Sequence, residues 1–450
     1  MAEAHRQIDS AGISYQDLIA TDAVPPRWPL TETNRFQGGP VTVPISRYTS
    51  REYHELEMKH LWTKVWQMAC REEQIPEVGD YHVYEIGKHS IIVVRTKDGI
   101  RAHHNVCRHR GRKLCDAHNG RAASFICPFH GFSWNLDGSN RSVTSDWDFP
   151  HVDREDFGLT PVKAETWAGW VFINMDMDAQ PLAEFMGDLP EHFRDWKPEN
   201  RYIEAWCAKV LPTNWKVTQE AFMEAFHVIT THPQILEGTG DENSQYDVWG
   251  NFSRAITPNG TPSPHLRNEP GEQDLFDAVT MKFLNQPPVA ELPDGVSARA
   301  MLGMSMRSQV EGCFGEDEVI TDSEANDSIY YTLFPNFHPW GGLNRINYRF
   351  RPYGDRHDMC VMECFYLAPF EGERPPPAEM HWLDVDDDWA EAGELGILAK
   401  VFQQDAYNLP KVQQGLEAAQ FDELTLANYQ ETKLRHFHML LEQWVDAKVG

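Results

Sequence analysis

Two short Cys/His pairs, Cys107-x-His109 and Cys127-x-x-His130, lie in the first third of the chain with 17 residues between them. Each pair sets one thiolate and one imidazole at the tip of a β-loop, with Gly111, Gly131 and Pro128 suited to tight turns. Two such loops facing each other place two Cys on one iron and two His on the other of a [2Fe–2S] cluster. Neutral imidazoles in place of thiolates remove negative charge at one iron and raise the potential above that of an all-Cys centre. The competing reading is a structural zinc ion, whose ligand pairs are spaced C-x₂₋₄-C or H-x₃₋₅-H; a Cys-x-His pair matches that poorly. Cys115 lies eight residues past Cys107 with no ligand partner and reads as packing.

The other five cysteines (Cys70, Cys207, Cys313, Cys360 and Cys364) are scattered through apolar or strand-like contexts and read as small buried hydrophobes in a reducing compartment. A formal net charge of −28, spread along 450 residues, excludes polyanions as partners: nucleic acid and anionic lipid need a basic footprint. No run approaches the roughly 18 apolar residues of a membrane span. The start, Met1 to Asp9, has no basic segment leading into an apolar one, so a cytoplasmic protein is expected.

Texture divides the chain. Residues 1–47 read as an irregular lead-in broken by prolines, followed by a capped helix from Thr49. From about 75 to 173, short β segments at Tyr81–Ile86, Ser90–Arg95, Ser124–Ile126 and Gly169–Ile173 alternate with turn residues. A helix is expected over Lys216–Thr231, then loops around a pocket over 235–310. Strands follow at Ser328–Phe337, Leu343–Pro352 and Met359–Leu367, the sheet ending at Pro375-Pro376-Pro377. Two further helical stretches run over Asp386–Asn408 and Glu423–Val445.

A second constellation stands in the first of those helices. His227 and His232 are five apart, about 140° around an ideal helix and so not on one face. Pro233, however, pushes His232 out of the α region, and an unwound last turn can aim both imidazoles at one ion. Glu224 falls at i−3 from His227, on its face. A 2-His-1-carboxylate site leaves positions open for O₂ and needs one acid. Asp405 is the candidate, with Asp384 and Asp386–Asp388 as competitors. His103 and His104 read as part of a strand before the first loop, and His436 and His438 as surface or core residues. Trp249, Phe252, Met281, Phe283, Phe334 and Phe337 are candidates for a cavity wall or for plain core.

Cys107, His109, Cys127 and His130, with Trp134 and Gly138, resemble the Rieske domain of ring-hydroxylating oxygenase large (alpha) subunits. The stretch Asn214 to Pro233 resembles that family's catalytic motif, and Gln404-Asp405 through Gly415-Leu416 its third-ligand helix. The resemblance implies the four cluster ligands just named and a mononuclear Fe(II) on His227, His232 and Asp405. It implies an α+β fold: an all-β Rieske domain (48–173) inserted near the N-terminal end of a helix-grip, START-like catalytic domain (174–450) with an antiparallel sheet, the lead-in (1–47) packing on the latter. Glu224 takes the place of the Asp that links the cluster of one subunit to the iron of the next. Ala221 stands where Asn is frequent and Phe226 where Tyr is frequent; the first departure removes an amide and the second a hydroxyl. The implied activity is hydroxylation, dihydroxylation or oxidative demethylation of a small organic, aromatic-type substrate with O₂. Electrons would come from NAD(P)H through a reductase or ferredoxin, in a homotrimer or a hetero-oligomer with a small beta subunit. A Rieske protein that only carries electrons is the rival reading; it would need no iron triad.

Overall fold

The computed structural model describes residues 12–283, 291–314 and 319–448. Seven antiparallel strands form the first sheet, in the order Gln67–Arg71, Trp170–Asn174, Pro161–Trp167, Gly99–His104, His89–Thr96, Asp80–Ile86 and Asn119–Arg121. The strand His89–Thr96 shows why it is placed centrally. Successive side chains point to opposite faces, so Ile92 and Val94 enter a small core with Cys107, Cys127, Phe132 and Trp134, while Ile91 and Val93 enter the main core of the molecule. A three-stranded sheet, Phe125–Ile126, Ser133–Trp134 and Asn140–Ser142, carries the second cysteine loop over that small core.

The larger sheet has eight strands, in the order Gln245–Trp249, Phe252–Thr257, Ser328–Leu333, Phe337–Pro339, Ile346–Pro352, Cys360–Pro369, Arg201–Leu211 and Met380–Leu383. Every pair is antiparallel except the last, where Met380–Leu383 runs parallel to Arg201–Leu211. The sheet therefore does not stop at the triple proline as expected; one more strand follows it. Helices Trp215–Ala221, Ile397–Ala418 and Thr432–Trp444 pack into the same core as this sheet, through Trp215, Phe402, Leu409 and Phe437 among others. This is the expected α+β architecture with its gripped helix.

Buried ion pairs tie the two halves together. Arg349 is forked onto Glu363 (Nε–Oε2 2.7 Å, Nη2–Oε1 2.6 Å) and also donates to the carbonyls of Met68 and Ala69 on the edge of the smaller sheet. Burial opposes charge on Glu363, yet Arg349 and Arg351 hold its carboxyl well below the usual carboxylate range. The described part of the lead-in is less irregular than its prolines suggest. Tyr15 and Ile19 of the helix Tyr15–Ile19 enter the core, and Thr42–Pro44 pairs with Glu423–Thr425.

Four element expectations shift. The helix expected over Lys216–Thr231 ends at Ala221 and restarts as the single turn Val228–Thr231. The stretch from Asp386 is turns and short 3₁₀ segments until Gly396, whose φ of +58° precedes the helix Ile397–Ala418. The last helix begins at Thr432, because Glu423–Thr425 is a strand. The region 235–310 supplies not only loops but two sheet strands, Gln245–Trp249 and Phe252–Thr257.

Candidate functional site

The two cysteine loops close in the same way. The carbonyl of Cys107 accepts from Gly111 N (3.0 Å) and Cys107 N donates to Arg112 O (2.8 Å); Cys127 repeats both bonds with Gly131 (2.9 Å) and Phe132 (2.8 Å). Gly111 and Gly131 have φ of +74° and +78°, a left-handed turn that favours glycine. The rings of His109 and His130 meet at 4.5 Å between centroids, and His109 stacks on Phe132. Both Nδ1 atoms are buried with no hydrogen-bond partner, and both cysteines are sealed in the small core. Buried, unpartnered polar atoms are costly, and ligation by a cluster would relieve both. Among the described residues, the groups of three or more potential ligands whose donor atoms all lie within 4.8 Å of one another do not include these four. A single tetrahedral ion would need that closeness; a two-iron core spreads its ligands wider. The residues fit a [2Fe–2S] cluster. Cys115 lies in the same small core and His103 and His104 on the strand Gly99–His104, as expected.

At the second site, His232 has φ −126° and ψ 51°, off the helix just before Pro233. His227 Nε2 lies 3.6 Å and His232 Nε2 3.1 Å from the same oxygen, Asp405 Oδ1, and the three ligand atoms fall within 4.8 Å of one another. Each Nδ1 is occupied elsewhere: His227 Nδ1 donates to Glu224 Oε1 (2.7 Å) and His232 Nδ1 to Gln404 Oε1 (2.9 Å). Fixing the outer nitrogen fixes each ring's orientation, so both Nε2 atoms face the acid. Burial opposes charge on His227, but Glu224, with Asp405 adding, holds its imidazolium up to about 9. The donor set suits a divalent iron. Asp384 and Asp386–Asp388 are not part of it: Asp384 accepts from Trp382 Nε1, Asp387 from Asp384 N, and Asp388 from Ala390 N.

Glu224 is not on a helix with His227, as expected, but on the intervening turn. It reaches His227 twice, its Oε2 accepting from His227 N at 3.0 Å. The contact of Gln404 with His232 is one that the sequence does not announce. A cavity of about 340 Å³ opens onto His227, His232 and Asp405, walled by Phe222, Tyr330, Trp340, Tyr348 and Tyr366. Of the aromatic candidates, Trp249, Phe252, Phe334 and Phe337 are core instead, and the side chains of Met281 and Phe283 lie outside the described residues. From the other side a cavity of about 580 Å³ reaches Glu224 and His227 between Glu220 and Glu431. Burial, with Glu224 and Glu220 adding, pushes the Glu431 carboxyl up to about 7. His436 and His438 are both core: His438 Nε2 bonds Glu220 (2.9 Å), and His436 Nε2 donates to Gly250 O (3.1 Å).

Comparison with known proteins bears on both centres. The family model for the ring hydroxylating alpha subunit (catalytic domain) matches residues 191–447, and that for the Rieske [2Fe-2S] domain matches 65–148. The glycine betaine monooxygenase oxygenase subunit of Chromohalobacter salexigens is 30% identical over 416 residues, 88% of this chain and 89% of that one. The chain belongs to the ring-hydroxylating oxygenase alpha-subunit family. It carries that family's two parts, a Rieske [2Fe–2S] domain and a ring-hydroxylating catalytic domain. The match to the biphenyl 2,3-dioxygenase subunit alpha of Rhodococcus jostii is partial: 34% identity over 206 residues, 43% of this chain and 44% of that one. The chain spans about half the length of several curated relatives that it matches. In fold it resembles a solved quaternary ammonium Rieske monooxygenase, with a TM-score of 0.66 at 18% identity, covering 92% of this chain and 100% of that one. Among the described residues no helix is long and apolar enough to cross a membrane.

Proposed function

We propose that this oxygenase is a terminal component that takes electrons from an NAD(P)H-linked reductase or ferredoxin and oxidises a small organic substrate with O₂. The observation that carries it is the convergence of His227 Nε2 and His232 Nε2 on Asp405 Oδ1 while Glu224 and Gln404 occupy both Nδ1 atoms. An electron carrier has no use for such a site. Cys107, His109, Cys127 and His130 are the residues assigned to the cluster, and His227, His232 and Asp405 to the iron. The units assigned are 48–173 for the cluster and 174–450 for the iron, with the lead-in 1–47 assigned to the latter; its first 11 residues lie outside the described residues. When bound, the cluster supplies electrons one at a time and the iron supplies the open positions at which O₂ is activated. The protein's part is to fix both imidazole tautomers, hold the substrate against the aromatic wall and keep bulk water out.

Glu224 is assigned the bridge between copies. The loops around His109 and His130 carry Arg108, Arg110 and Arg112 and expose Val106, Ile126 and Phe129, whereas the cavity at Glu224 is lined by Glu220 and Glu431. Complementary charge of this kind favours head-to-tail docking of one copy on the next, which closes into a ring such as a trimer.

For the substrate, the cavity wall includes Tyr330, Trp340, Tyr348 and Tyr366, aromatic side chains of the kind that attract a quaternary ammonium group, and the near-full-length relative acts on glycine betaine. Quaternary amines are the first class to screen, aromatic compounds the second; substrate-dependent O₂ uptake separates them. Iron and acid-labile sulfide per chain test the whole reading. Three irons to two sulfides are expected; two to two, persisting after Fe(II) is added, would leave an electron carrier. Glu224→Ala is expected to keep all three irons yet lose roughly 10–100-fold in coupled turnover, and full turnover in that variant rules out the bridge.

A further inference from the structure

Away from both centres, a second trio of ligand types meets at the edge of the large sheet. Cys207 and His381 are register partners on the neighbouring parallel strands Arg201–Leu211 and Met380–Leu383, so their side chains leave the sheet on the same face. Glu394, on the 3₁₀ segment Gly393–Leu395, reaches over both. Its Oε1 accepts from Cys207 Sγ at 3.2 Å and from His381 Nδ1 at 2.6 Å, and the three ligand atoms lie within 4.8 Å of one another. Of the groups that meet this test among the described residues, this and the iron-side trio are the two found.

We propose that Cys207, His381 and Glu394 form a binding site for a thiophilic divalent cation of the zinc type. Thiolate, imidazole and carboxylate are the ligands such an ion takes, and three protein ligands leave a fourth position for water. Both protons now shared with Glu394 Oε1 stand where the ion would sit. Binding releases the thiol proton and moves the imidazole proton to Nε2. Thiolate and carboxylate then balance the two positive charges of the ion. Access is one-sided: Cys207 is fully buried, while the side chains of His381 and Glu394 are 39% and 37% exposed. Burial pushes the Cys207 thiol up, so without an ion it stays protonated and inert. An ion here would clamp the edge strand to the turn that leads, through Gly396, into the helix bearing Asp405.

The test uses zinc on the intact holoenzyme, and on His227→Ala/His232→Ala, which lacks the competing iron ligands. One zinc per chain in the double variant, with a zinc-edge X-ray absorption spectrum showing one sulfur among nitrogen and oxygen neighbours, is expected. The zinc edge does not report the cluster's iron–sulfur bonds. His381→Gln, at the rim where it leaves packing intact, should weaken zinc binding by at least the roughly 10–100-fold that loss of a ligand's own hydrogen-bonding partner costs. Cys207→Ser should remove the sulfur neighbour. Zinc that is lost in the double variant, that shows no sulfur neighbour, or that binds His381→Gln unchanged would overturn the site.

Discussion

Each iron-side imidazole is held by a different acceptor, and that difference sets what a substitution does. Glu224 faces the open, acidic cavity, whereas Gln404 Oε1 accepts from Gln234 Nε2 at 2.7 Å as well as from His232 Nδ1. Gln404→Leu should therefore leave the cluster intact and weaken Fe(II) retention by roughly 10–100-fold in a chelator competition. Gln404→Glu, which keeps an acceptor, should restore most of it; equal loss in both variants would show that Gln404 only packs. Metal chemistry restricts ligand types and spacings so strongly that Cys107, His109, Cys127 and His130 read as a cluster set from the sequence alone. His227 and His232, five apart and off one helix face, and Asp405, a lone acid on a helix, stand out only through the family resemblance. Gln404 was not legible, since nothing in a glutamine's neighbours along the chain tells that its amide meets a histidine 172 residues away.

The element that positions the iron is a helix broken on purpose by its surroundings. Asn214 caps it, its Oδ1 accepting from Lys216 N (3.0 Å) and its Nδ2 donating to His357 O (2.7 Å). Past Ala221 the apolar spacing continues through Phe222, Met223, Ala225 and Phe226, so the sequence reads as unbroken helix. Other partners win instead: Ala225 N donates to the Tyr246 hydroxyl across the fold, and His227 N to the nearby Glu224 carboxylate. Lys216 anchors the helix, its Nζ 2.6 Å from Glu57 Oε1 with both side chains fully buried. Lys216→Met leaves the buried Glu57 carboxyl without its cation, so a loss of about 3–5 kcal/mol in unfolding free energy is expected. Adding Glu57→Gln, which removes the charge but still accepts from Trp215 Nε1, should recover most of that. Chemical denaturation of the three proteins checks it, and no recovery in the double variant would mean that packing, not charge, is what Lys216 supplies.

At the scale of the molecule, stability and electron flow both depend on contacts that no local pattern announces, such as Arg349 joining the two sheets across 281 residues of chain. Three histidines buried in different places make the fold acid-sensitive. Burial depresses His54 and His436 to about 4 and His192 to about 3. A depressed histidine binds fewer protons folded than unfolded, so its contribution is complete above about 6.5 and is lost as pH falls toward 4, by up to about 1.4 kcal/mol per pH unit for each group. His436→Gln, neutral at every pH and still able to donate to Gly250 O, should flatten that slope by one proton in denaturation series between pH 7 and 4. An unchanged slope would mean that His436 is not buried neutral.

Electron flow is tested by splitting the two centres between chains. Cys127→Ser should lose the cluster but keep the mononuclear iron, and His227→Ala the reverse; metal content confirms each, and neither should turn over alone. In a head-to-tail ring the cluster of one copy faces the iron of the next. Co-expressed in equal amounts, half of the chains keep a cluster and half an iron, so roughly a quarter of the interfaces pair the two and activity should return to about that share. The route through Glu224 predicts one further result: placing Glu224→Ala in the Cys127→Ser chain, the one whose iron still works, should abolish the rescue, while placing it in the His227→Ala chain should not. Rescue that ignores which chain carries the substitution would remove Glu224 from the path, and no rescue at all would confine the electrons to a single chain.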